Sequence, residues 1–190
     1  MSTESIVIWV AVVVAVVYVV VIYNNLVQLK HNVAKAWANI DVLLKQRHDE
    51  LPKLVETCKQ YMQYEQDTLK QVIEARAAVF SASEAANVRG LGTAESRLRG
   101  GLGRLFALAE NYPALKADES FRQLQARISG LEGAIADRRE LYNDSVNRLG
   151  VRIAQFPDVI VARLFGFQPK DLLRFSAEET RDVDIKALFG

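Results

Sequence analysis

The sequence is poor in the residues that usually build reaction centres. A single cysteine, Cys58, excludes an internal disulfide and any multi-cysteine metal or redox framework. The only histidines are His31 and His48. On one continuous helix they would lie about 26 Å apart at ~1.5 Å per residue, too far to share a metal within one chain. Neither has Glu three residues before it, which removes the Glu-x-x-His pair of di-iron bundles. The glycines at 100, 101 and 103 are followed by no Gly-Lys-Ser/Thr and preceded by no strand pattern, so close helix packing explains them better than a phosphate loop. Charge of one sign is also missing: 24 Lys and Arg face 23 Asp and Glu, a net +1. Without a basic excess, nucleic acid is not expected as a partner. The sequence therefore points to no catalysis, no cofactor and no metal.

What the sequence has is one long apolar run, Ile6 to Tyr23, unbroken by charge. Its roughly eighteen residues reach the lower end of what a helix needs to span ~30 Å of hydrocarbon. A secretory signal would show a positive leading segment and a small-residue cleavage site, and the run has neither. It reads as a retained transmembrane helix, residues 1–23. Lys30 and Lys35 follow the run and no basic residue precedes it, so the positive-inside rule puts the N-terminus outside and the rest in the cytoplasm.

Beyond the anchor the apolar spacing is helical. Val33, Trp37, Ile40 and Leu44 recur at 4-3-4, and an alternating 4-3 stripe runs from Leu54 through Cys58, Tyr61, Glu65 and Val72 to Val79. Between them lies HDELP, where Pro52 disfavours helix at Leu51, so a tight turn about Asp49 and Glu50 is expected, with a kinked helix as the alternative. That hairpin would set Lys35 opposite Glu65, and His48 would sit in the turn on a solvated face. Cys58 reads as a small core residue. Ser81 to Glu95, small and polar, reads as a mobile connection or frayed end. Leu98, Leu102 and Leu105 start a third helix that stops at Asn111–Pro113. After a short PALKA linker, Asp118 caps a long helix carrying Phe121, Leu124, Ile128, Leu131, Ile135, Tyr142, Val146, Leu149, Ile153 and Phe156, with Pro157 at its end.

The stretch from Tyr23 to Arg76 resembles the opening half of the bacterial LemA family. The matching residues include Tyr23, Asn24, Trp37, Ile40, Asp41, Arg47, Asp49, Pro52, Tyr61, Glu65 and Arg76. The resemblance continues at Ala109, Glu110, Tyr112, Pro113, Leu115, Phe121, Arg139, Tyr142 and Asn143, and then at Phe156, Pro157, Ala162, Gly166 and Phe167. Departures fall at Tyr64, at Gly133, and at Leu149 with Gly150. The resemblance implies an all-α protein in which a single N-terminal transmembrane helix precedes an up-and-down four-helix bundle in a bacterial envelope. It implies no enzymatic reaction.

In that architecture residues 24–156 form the bundle and 157–190 an apolar, then polar, C-terminal tail. HDELP and PALKA would lie at the far end, and the Ser81–Glu95 connection and the tail near the membrane. The expected activity is that of a scaffold or adaptor in the bacterial inner membrane, binding an unidentified membrane or cytoplasmic protein or a copy of itself. Arg47, Asp49 and Glu50 are the candidate exposed partner surface, with Arg76 and Arg139 added if solvent-facing. Trp37, Tyr61 and Tyr112 read as core. The tail either covers the bundle or lies in the lipid interface, with Phe165, Phe167, Lys170 and Arg174 as the candidate contacts. Its polar end, Ser176 to Gly190, offers a small docking point at Ala187–Phe189. The alternative function is lipid or peptide binding in an interhelical groove helped by the tail.

Overall fold

The computed structural model describes residues 3–174. Within them the chain is all-helical: α1 (Thr3–Lys59), α2 (Gln66–Glu84), α3 (Val88–Ala109), α4 (Pro113–Ala117), α5 (Glu119–Ala154) and α6 (Asp158–Leu164). The end of the expected tail, Phe175 and the docking point at Ala187–Phe189 included, lies outside the described residues.

These helices fall into two compact units. The first comprises residues 3–38 and 140–171. Here α1 begins with the apolar run, whose side chains are largely exposed from Ile6 to Val21. By length and composition it is a helix able to cross a membrane. At its end Ile22 and Leu26 turn inward and pack with Val161 and Ala162 of α6, flanked by Ile153 and Phe167. Tyr23 meets Phe165 with ring centroids 4.8 Å apart and Phe167 at 5.9 Å. Further along, Trp37 lies against Tyr142 of α5 at 5.5 Å, and the Tyr142 hydroxyl donates to the Asp171 carbonyl.

The second unit comprises residues 39–139 and 172–174. Segments of α1, α2, α3 and α5 surround a core built from the expected stripes. Ile40, Leu44, Leu51, Leu54 and Cys58 face inward from α1, as do Val72 and Val79 from α2, Leu98, Leu102 and Leu105 from α3, and Phe121, Ile128 and Ile135 from α5. Asp118 caps α5 as its position suggests: its Oδ1 accepts from the Phe121 amide at 3.0 Å. Close packing explains only one of the three neighbouring glycines. A Cβ on Gly101 would meet Val72 of α2 at 3.3 Å, whereas Gly100 and Gly103 have open space.

Several expectations fail. No turn forms at HDELP, because α1 runs through Pro52 to Lys59 and the chain reverses at residues 60–65. Tyr61 and Met62 amides close that turn onto the Cys58 carbonyl, and Met62 is fully buried. Glu65 accordingly meets Tyr112, not Lys35, which stays exposed. The Ser81–Glu95 segment is not a long connection: α2 continues to Glu84 and α3 begins at Val88, capped by the Asn87 side chain on the Gly90 amide. Its Ser83 hydroxyl donates to Asp41, well past Tyr23 along α1. PALKA is the short helix α4, with Pro113 in its first turn. Phe156 leaves the α5 stripe, since α5 ends at Ala154 and the ring is 76% exposed.

Candidate functional site

Proline inside a helix removes one amide donor and frees the carbonyl four residues earlier. For Pro52 that carbonyl belongs to His48. Arg76, from α2, supplies the missing donor: its Nε donates to the His48 oxygen at 2.9 Å. A terminal nitrogen of the same guanidinium lies 2.6 Å from His48 Nε2. As the arginine can only donate, the imidazole accepts there and is neutral, with its proton on Nδ1. Burial first, and the Arg76 charge second, hold the His48 pKa below its ordinary value. The ring stacks against Phe80 at 4.5 Å. His48 is thus a half-buried contact between helices and not part of a solvated turn.

The preceding residue, Arg47, points into the core and is 1% exposed. Its guanidinium pairs with Glu95 of α3 through both terminal nitrogens and with Glu132 of α5, which also lies 3.7 Å from Arg99. One side chain therefore ties three helices. Burial pushes the Glu95 carboxyl up, against the pull of Arg47. The two carboxylates hold Arg47 in its charged form despite burial. Glu50, 6% exposed, reaches Arg127 of α5 at 2.7 Å and Lys53 at 3.4 Å. At the far side of this layer, the hydrogen bond from Lys45 chiefly holds the Asp41 carboxyl low, with Ser83 assisting.

The expected surface of Arg47, Asp49 and Glu50 is therefore corrected. Only Asp49 is exposed; Arg47 and Glu50 are buried because the helix continues where a turn was expected. Arg76 and Arg139 are half-buried, and Arg76 is committed to α1. The crevice beside the layer, lined by Asp41, Arg47, His48, Arg76 and Phe80, has room for about one water. Arg47 is paired with Glu95 and Glu132 and Asp41 with Lys45, while Arg76 is taken up by the His48 carbonyl and ring. Among the described residues, no cluster of His, Cys, Asp and Glu is arranged to hold a metal.

Two tyrosines expected in the core instead join connections. The Tyr61 hydroxyl donates to Asp118 Oδ2 at 3.0 Å, tying the α1–α2 turn to the cap of α5. Tyr112, before α4, bonds to Glu65 in the same turn, which raises the phenol's pKa. Cys58 is fully buried, and burial pushes its thiol up to about 12, so it is a core residue without nucleophilic character at neutral pH.

The outer face of α2 and α3 carries an open groove of about 510 Å³. Ala75, Ala78, Ser96, Gly100 and Gly101 form its floor, and Glu74, Arg97 and Arg104 its rim. Sequence reading missed this face; the small residues at 75, 78, 100 and 101 were its only signal. The tail candidates separate: Phe167 is half-buried, whereas Phe165, Lys170 and Arg174 are exposed. Leu173, between the last two, is buried.

An all-helical chain whose first helix starts as an exposed apolar run, and whose interior charges are tied off between helices, defines a class of helical protein with a candidate membrane helix. Residues 36–187, most of the chain, match the family model described as LemA family, and the chain belongs to that family. It is also similar to two magnetosome proteins of Paramagnetospirillum magneticum, MamQ 1 and MamQ 2, and to magnetosome protein MamQ of Magnetospirillum gryphiswaldense. Each is 31% identical over 67 residues, covering 35% of this chain and 25% of the relative. The match thus spans about a quarter of the length of these relatives.

Proposed function

We propose that this LemA family member is a membrane-anchored, non-enzymatic scaffold: an up-and-down four-helix bundle that binds another protein at the inner membrane. The carrying observation is the closed charge layer. Arg47, Glu95, Glu132 and Arg99 balance one another, as do Glu50 and Arg127, so the polar interior holds helices together and leaves recognition to the surface. The exposed apolar run supports single-pass anchoring, and Lys30 and Lys35 support an N-terminus outside with the bundle in the cytoplasm. Tethering raises the local concentration of the bundle for other membrane components.

The α2–α3 groove is the partner face in this reading. Its small floor residues admit the backbone of a helix closely, and the Arg97 and Arg104 rim favours an acidic partner helix. A photo-crosslinker at Ala78 or Gly100, both exposed, should capture one recurrent membrane or cytoplasmic protein in intact cells. Gly100→Lys should abolish that capture. Capture from Asp49 alone, or only of copies of this chain, would shift the reading to a different surface or to self-association. The interior crevice has room for about one water, so the alternative of a bound lipid or peptide would use an open groove such as the α2–α3 face.

A further inference from the structure

Helix α6 has two unlike faces. Asp158, Val161 and Ala162 are buried, and Asp158 is held by Arg152 at 2.7 Å. Ile160 and Leu164, four residues apart on the helix, are instead 59% and 75% exposed, flanked by Phe156 in the turn before it at 76% and Phe165 just after it at 53%. Four large apolar side chains in so short a segment are more than the scattered exposure of a soluble surface. The buried face shows where they sit. Val161 and Ala162 pack on Ile22 and Leu26, and the Phe165 ring lies 4.8 Å from Tyr23, the last residue of the exposed apolar run. If that run crosses a bilayer, its roughly 27 Å of helix puts Tyr23 at the hydrocarbon–headgroup boundary, where aromatic side chains collect. The open face of α6 is then at the same depth. Exposed Arg163, within α6, and Lys170, in the same unit, provide charge for anionic headgroups.

We infer that the exposed Ile160 and Leu164 of α6, with the flanking Phe156 and Phe165, are a membrane-interfacial foot that lies on the bilayer holding the chain's own anchor. The occupant is the boundary layer of an anionic phospholipid membrane, and the inference rests on the reading of α1 as a transmembrane anchor. The surface differs from the tail expected from sequence. Phe167 packs inward, and the apolar contact moves to α6. Such a foot adds a second lipid attachment beside the helix, and so restricts the tilt of the first unit relative to the membrane plane.

The test uses the full chain in vesicles of phosphatidylethanolamine and phosphatidylglycerol. A single environment-sensitive fluorophore is attached in turn at Leu164→Cys, Val13→Cys and Gln46→Cys, three exposed positions. The native Cys58 is fully buried and does not take the label. Lipids carrying a nitroxide at a shallow acyl position should quench most of the emission from position 164, lipids with a deep nitroxide should quench position 13, and neither should quench position 46. If 164 is as unquenched as 46 while 13 is quenched, the anchor stands and the foot is wrong. If 13 is also unquenched, the anchor reading falls and takes the foot with it. If 164 escapes lipid quenching yet is shielded from aqueous iodide, and that shielding vanishes at one chain per vesicle, a second copy covers the face and the inference is overturned.

Discussion

Arg47 is the side chain on which the second unit most depends. Removing one partner of a buried ion pair leaves the others charged without compensation, a loss of about 3–5 kcal/mol. Arg47→Leu should therefore destabilise the chain by about that amount in urea unfolding, while adding Glu95→Leu to it should recover much of the loss, since the remaining Glu132 lies within reach of Arg99. His48 gives a separate signature in pH. Its folded pKa is depressed, so its contribution is fully present above the ordinary value of 6.5 and is lost as pH falls through the lower folded value. Thermal midpoints followed by circular dichroism should fall as the pH is lowered through that range, and His48→Gln should flatten this part of the profile. The Asp41 carboxyl is also depressed, and its contribution is lost only at more acid pH, as pH falls below 3.8 through its own folded value.

At the scale of the helix, the bond from Arg76 of α2 to the His48 carbonyl answers a group that α1 cannot satisfy alone. Arg76→Met should cost about 1.5–3 kcal/mol, the range for hydrogen bonds from charged groups. In a Pro52→Ala background the cost should shrink, because the alanine amide can satisfy the His48 carbonyl; an undiminished cost would show that the carbonyl contact contributes nothing. The glycines of α3 divide in the same testable way. A Cβ at Gly92 would lie 1.9 Å from the Arg174 carbonyl oxygen, so Gly92→Ala should lift residues 172–174 and speed tryptic cleavage after Arg174. Gly100→Ala meets nothing and should stabilise by about 0.5–1 kcal/mol through helix propensity. These contrasts also mark what was legible in the sequence. The apolar run, the stripes of α3 and α5, and the Asp118 cap follow from periodicity and local chemistry. The turn at 60–65 does not: it contains no Gly or Pro, and the buried Met62 and the Tyr61–Asp118 bond hold it through contacts remote in sequence. Arg47 misled for the related reason that a charged residue next to an expected turn reads as surface until its partners, 48 and 85 positions away, are known.

For the whole molecule, the anchored reading makes a topological prediction. With the N-terminus outside, a fluorescent protein that matures only in the cytoplasm should glow when fused after Gly190, and a phosphatase active only outside should be silent at the same position; the reverse pattern would invert the proposed orientation. The bond from Arg76 to the His48 carbonyl also bears on the order in which the chain acquires its shape. Synthesis delivers Pro52 before Arg76, so in a nascent chain that has not yet exposed residue 76 the His48 carbonyl is left to water and the helix is weakened at that point. The continuity of α1 there is completed only when α2 emerges and docks, which makes the longest helix of the protein dependent, at its proline, on a residue translated after it.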